Sequence, residues 1–211
     1  MSFNKDEGLS IKRTALVVSI AYASILFASA AYQHYLFGTQ VWDIGLFEQF
    51  SWLISEGKIF TISSLRNIAP LQDHFSLLLL PIGLIYKIFP STFTLIGLQS
   101  IALGSLPAVA ASLLVSRRVK AILIWALMGA IVLSPYSFLV NRGDFHPDVL
   151  TVPLMVVAIF EATQARKLRY YFCLLITLFA KNAQALFGVG LCFYCFARGK
   201  YKRGFITFFI S

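Results

Sequence analysis

Acids and histidines are scarce in this chain, nine and three respectively among 211 residues, and they are unevenly placed. The stretch NRGDFHPDVL, residues 141–150, brings Asp144, His146 and Asp148 together beside Arg142. Asp43 stands alone in VWDIGLFEQ, and Asp73 and His74 are adjacent. If these segments meet in space, their carboxylates and imidazoles can do two kinds of chemistry. Oxygen ligands from Asp43, Asp144 and Asp148 would hold a hard divalent ion such as Mg or Mn. Alternatively, one carboxylate would act as a base toward a hydroxyl group.

Each residue also has a plain structural role available. Asp43 sits where a helical pattern begins, and Asp is a frequent N-cap. A lone Asp-His pair is commonly a polar loop end, because neighbours on a helix point different ways. Pro147 suits a first helical turn, Asp148 gains from the helix dipole, and Asp144 or His146 could cap. Capping needs one such group, and the stretch supplies three.

The elements that position these residues are apolar. The composition is 58% hydrophobic and 13% charged, with a mean hydropathy of +0.77. Soluble domains average about 45–50% and about 25%. Runs near the length needed to cross a bilayer recur, so the fold expected is an all-α, polytopic transmembrane bundle forming a single integral membrane domain over residues 1–211. Spans are expected at 14–33, 92–115, 121–140, 149–164, 170–181 and 184–197, with an incomplete one beginning at 205–211. The first follows Lys12 and Arg13 and exceeds the roughly 7–15 apolar residues of a signal peptide. It reads as an uncleaved anchor. Cys173, Cys192 and Cys195 fall within spans and behave as small hydrophobes.

The net charge of +9 does not indicate nucleic acid, because the basic residues cluster between the apolar runs. Lys5/Lys12/Arg13, Arg117/Arg118/Lys120, Arg166/Lys167/Arg169 and Arg198/Lys200/Lys202/Arg203 hold most of them. The positive-inside rule places such clusters, and with them the N-terminus, in the cytoplasm. Residues 34–74 then form a long outer loop, and Asn141–Asp148 and the turn at Lys181 lie on the same side. All three histidines and most of the acids fall there, leaving only Asp6, Glu7 and Glu161 inside. Residues 75–89 would reverse this parity if they spanned. Fifteen helical residues reach only about 22 Å, and Pro81 interrupts them, so the segment is expected to be a re-entrant or interfacial helix. The alternative is a helical hairpin with residues 92–115. Within the outer loop, Leu46, Phe47, Phe50, Leu53 and Ile54 make one helical face. Gly57 is placed as its stop, and Trp42 and Trp52 suit the headgroup zone.

Four motifs, WDIGLFEQ, DHFSLLLLP, LIGLQSIAL and DFHPD, occur in that order. Together they resemble a bacterial membrane-protein family, domain of unknown function 2079, over roughly residues 30–190. That family is similar to the glycosyltransferase C superfamily, multi-spanning enzymes that use polyprenyl-phosphate sugars. The resemblance implies membrane-surface helices in the first outer loop, with Asp43 as its acid and Asp144 as a second. Either would deprotonate an acceptor hydroxyl or hold a metal against the departing lipid phosphate. His74, His146, Asp148 and Lys181 are then assigned to substrate. Where the family tends to have Lys-Glu-Asp, this chain has Lys181, Asn182 and Ala183. It also stops at FITFFIS, where such enzymes continue, which suggests a truncated product.

Three functions follow for comparison. One is an enzyme of the outer face of the bacterial inner membrane, with the lipid bilayer and a polyprenyl-phosphate-linked sugar as partners. Another is a transporter or ion-handling protein, for which ionisable residues inside the spans would be expected. The third is an inactive fragment. The acids lie at helix ends and in loops, which favours the enzyme.

Overall fold

The computed structural model describes residues 5–73, 75–164 and 167–211, and the chain is helical without a strand among them. In chain order, α1 (Lys5–Tyr35) leads through a short π turn, Val41–Gly45, into α2 (Leu46–Ser55). Next come α3 (Leu79–Ile88), α4 (Thr92–Gly104), α5 (Leu106–Ser116), α6 (Ala121–Val132) and α7 (Pro135–Arg142). A 3-10 turn, Pro147–Thr151, opens α8 (Val152–Glu161), and α9 (Lys167–Leu178), α10 (Ala185–Ala197) and α11 (Tyr201–Ile210) complete the chain.

Among the described residues, three helices are long and apolar enough to cross a membrane: Asp6–Tyr35, Thr92–Ser116 and Ala121–Arg142. The last two are each jointed by a proline, because Pro107 and Pro135 lack the N–H that would continue the ladder. At the first joint the Ala108 N–H donates to Ser19 Oγ on α1 at 2.9 Å. Gly104 makes that approach close: a Cβ there would overlap Ala23, as small residues allow between packed membrane helices. The passages expected at 149–164, 170–181 and 184–197 contain α8, α9 and α10. These are shorter, about 15–20 Å each: the 3-10 turn at Pro147 takes residues 149–151 from the first passage, whereas α9 and α10 are close to the lengths expected.

Contacts define two ends of the bundle. At one end, Gly8 meets Val115, Arg117 lies over the Phe160 ring at 5.1 Å, and Arg169 pairs with Glu161 at 3.5 Å. Arg203, nearly buried, closes the α8 terminus by donating to the carbonyls of Glu161, Ala162 and Gln164 at 2.6–2.7 Å. The described basic residues of all four clusters gather here. At the other end, His34 stacks edge-on with Phe93 at 5.5 Å. Arg142 Nε there donates to Gln33 Oε1 at 2.7 Å.

The α2 helix packs against this second end as its apolar pattern requires. Leu46, Phe47, Phe50, Leu53 and Ile54 are all buried, and Gly57 takes the positive φ of 71° that ends the helix. Trp42 and Trp52 remain exposed. On its inner face α2 meets α3 so closely that a Cβ on Gly83 would overlap Ile54. Both ends of α3 are fastened at the same end of the bundle. Leu78 N–H donates to the Phe179 carbonyl after α9 at 3.0 Å, while Tyr86 and Thr92 donate to the two oxygens of Glu48 at 3.0 and 2.6 Å.

Candidate functional site

The loop joining α7 to the Pro147–Thr151 turn is held from three sides. Gln99, an α4 residue only 1% exposed, donates to the carbonyls of Val140 and Asp144 at 3.3 and 2.9 Å. Its own oxygen accepts the His146 N–H at 2.9 Å. Asn141 donates to the Leu26 carbonyl of α1 at 2.8 Å and accepts from Ser100 Oγ at 3.2 Å. Gln33 donates to the carbonyls of Gly38 and Arg142, both at 2.9 Å. Phe145, 1% exposed, plugs the loop into the core against Phe47 at 5.8 Å.

So held, Asp144 sits at φ 72°, a left-handed conformation that Asp tolerates better than most residues. Its side chain is 6% exposed. Oδ2 accepts the Gln40 N–H at 2.8 Å, and Oδ1 is buried with no hydrogen bond. Burial pushes its pKa above the ordinary carboxylate value. The Gln40 hydrogen bond opposes that shift, the Asp43 charge adds to it, and His146 and His34 oppose it. Asp43 and Asp144, 101 positions apart by their numbering, are therefore close enough to repel.

Asp43 is not the N-cap that its position suggested. Gln40 occupies the cap, in extended conformation with φ −106° and without a side-chain cap bond. Asp43 falls within the π turn itself, half-buried and in the first turn. The N–H of the capping residue Gln40 itself is bonded from the distant loop by Asp144. His146 lies edge-on to Phe47 at 5.8 Å, and His34 Nδ1 is 2.8 Å from Thr39 Oγ1.

The remaining expected site residues are less closely gathered. Asp148 is four positions along the chain from Asp144 but is not among the charges that act on it. It opens the Pro147–Thr151 turn, and its Oδ1 is buried without a hydrogen bond. Lys181 is extended at the start of the Asn182–Gln184 turn, at the same end of the bundle, and forms no ion pair among the described residues. Asp73 pairs with Arg66 at 3.0 Å. His74 lies outside the described residues. Among those described, no three His, Cys, Asp or Glu side chains are arranged to hold a metal ion. As placed, Asp43, Asp144 and Asp148 do not fit Mg or Mn as a ready set of ligands.

Gln99, Asn141 and Gln33 carry much of this architecture, yet the pattern of charges did not single them out. Gln99 had a signal: it is an amide inside the apolar run LIGLQSIAL, where a polar side chain must find partners. Beneath Asp144, between Gln33, Thr39, Gln99 and Asn141, is a void about the size of one water.

An all-helical membrane protein with a polar, carboxylate-bearing cluster at one end and its four basic clusters at the other is thus defined. Residues 33–211 match the family described as predicted membrane protein (DUF2079), and the chain belongs to that family. No curated protein and no solved structure matches it.

Proposed function

We propose that the chain is a glycosyltransferase C-like enzyme of the bacterial inner membrane, transferring a sugar from a polyprenyl-phosphate donor at the outer face. The observation that carries the reading is that the buried Asp144, bonded to Gln40 at the head of the segment that holds Asp43, feels the Asp43 charge at the end opposite the basic clusters. Under the positive-inside rule that end is extracytoplasmic and the N-terminus cytoplasmic. On the same reading α2 and α3 lie along the outer membrane surface, with Trp42 and Trp52 toward the headgroups.

Asp43, the more accessible carboxylate, is the base. It takes the proton of an acceptor hydroxyl as that oxygen bonds to the anomeric carbon. The bond from that carbon to the lipid-phosphate oxygen breaks, and the phosphate leaves with the electron pair. Asp144 positions Asp43 by holding Gln40 at the start of the π turn. Lys181 binds the charge that the donor phosphate carries before and during the reaction, and His74, His146 and Asp148 bind the sugar or its acceptor. A general base contributes roughly 10²–10⁴-fold in rate.

The test is release of polyprenyl phosphate from a polyprenyl-phosphate hexose by the purified chain in lipid, supplied with a hydroxyl acceptor. Release that falls at least about 100-fold in D43N, with folding unchanged, supports the reading. Equal release by wild type and D43N, or none by either across hexose donors, rejects it.

A further inference from the structure

The basic end carries a second site. A cleft of about 600 Å³ opens between the α8–α9 connection and the α10–α11 turn, lined by Lys167, Tyr171, Lys200, Tyr201, Lys202 and Arg203. That volume falls within the range of small-molecule sites. The three lysines are exposed, whereas Arg203 is fixed, its N–H groups directed to the carbonyls that end α8 and its guanidinium 5.1 Å from the Tyr170 ring. No carboxylate among the described residues pairs with any of these four cations. Glu161, the nearby acid, is buried against Arg169. The cleft therefore carries uncompensated positive charge.

Its other wall is apolar. Ile206 lines the cleft one turn further along α11, and Phe205 and Phe209 continue as exposed hydrophobics toward the helix end. Tyr201, also exposed, supplies the amphipathic ring that favours the headgroup level. Cations at the mouth with an uninterrupted apolar face below match a molecule that is anionic at one end and hydrocarbon at the other. A free phosphate compound would use only the first half.

We propose that this cleft binds the phosphodiester headgroup of an anionic membrane lipid, its acyl chains lying along α11. Basic pockets between membrane helices recognise such headgroups by charge and hydrogen bonding. The proposal needs the chain to sit in a bilayer and is independent of glycosyl transfer.

The test uses the full chain reconstituted in vesicles and spin-labelled lipids that report occupancy at the protein surface. Phosphatidylglycerol is expected to associate several-fold more strongly than phosphatidylcholine. The double variant K200Q/K202Q, which alters only exposed side chains, is expected to cut that preference at least about fivefold, the effect of roughly one interfacial charge. K12Q/R13Q removes equal charge at the same end but outside the cleft, and is expected to leave the preference in place. Inorganic phosphate at constant ionic strength is expected not to displace the lipid. Equal association of the two lipids overturns the proposal. So does equal loss in both double variants, which marks general surface charge, or displacement by phosphate, which marks a site for a free anion.

Discussion

The backbone N–H of Gln40 and the side chain of Asp144 are joined at 2.8 Å across 104 positions of sequence. This bond ties the entry of the α2 segment to the loop after α7, and it gives Asp144 two separable effects. One is the anchoring of Gln40; the other is the electrostatics of a buried acid.

Replacing Asp144 with alanine leaves the Gln40 N–H without its partner, at a cost of about 1–3 kcal/mol. Asparagine keeps an acceptor and loses the charge. Because burial raises the Asp144 pKa in the folded chain, the folded state binds its proton more tightly than the unfolded one. The stability this provides is present at low pH and is lost as pH rises from the ordinary value of 3.8 through the higher folded value. Thermal unfolding of D144N measured against pH should lack this downward slope, and a slope unchanged from wild type would contradict the assignment.

Gln99 makes three hydrogen bonds to one loop, so Q99M, which preserves shape without the amide, is expected to strand the His146 N–H and two carbonyls. The loss should be about 1–3 kcal/mol, accompanied by faster hydrogen exchange at Asp144–His146. Unchanged exchange there would mean that the loop holds without the clamp.

At Gly104 the prediction is steric. G104A drives a methyl into Ala23 and should cost about 1–3 kcal/mol. Adding A23G recovers only part, because the new methyl also meets the Ala23 backbone. Full recovery in the double variant would show that the helices separate freely.

Lys181 is expected to act on the donor alone. K181M should raise KM for the lipid-linked sugar with kcat nearly constant, as removal of an interaction common to ground and transition states does. A fall in kcat at unchanged KM would place Lys181 in the chemical step instead.

The membrane disposition is open to chemical labelling. The native Cys173, Cys192 and Cys195 are buried and should resist an impermeant maleimide in intact cells. Lys58→Cys and Ser91→Cys, on either side of α3, should both react from outside, whereas Lys120→Cys and Lys202→Cys should react only after permeabilisation. Protection of Ser91→Cys alone would make α3 a true span.

Local patterns in the sequence carried the elements well. The i, i+1, i+4, i+7, i+8 spacing from Leu46 to Ile54 marks the buried face of α2, and Gly57 marks its end, because both depend only on neighbours along one helix. Charge sorting anticipated which residues share an end of the bundle. The site itself was legible only in part. Asp43 looked like a cap because it stands near the head of the helical pattern, but the π turn begins earlier, at Val41, with Gln40 in the capping position. Asp148 groups with Asp144 on the expectation that the outer loops converge; its buried Oδ1, without a hydrogen bond, is a feature of packing that sequence does not display. Gln99 and Asn141 carry no charge, so a search for ionisable groups passes over the amides that hold the loop in place.

The Pro107 joint has a mechanical consequence. If α5 tilts away from α4, the Ala108 N–H leaves Ser19 and is stranded in apolar surroundings, at a cost of about 1–3 kcal/mol. The joint is thereby pinned by α1, and α1 reaches both ends of the molecule. Bending at Pro107 therefore costs a hydrogen bond to α1, which favours α1, α4 and α5 moving together rather than hinging between the two ends.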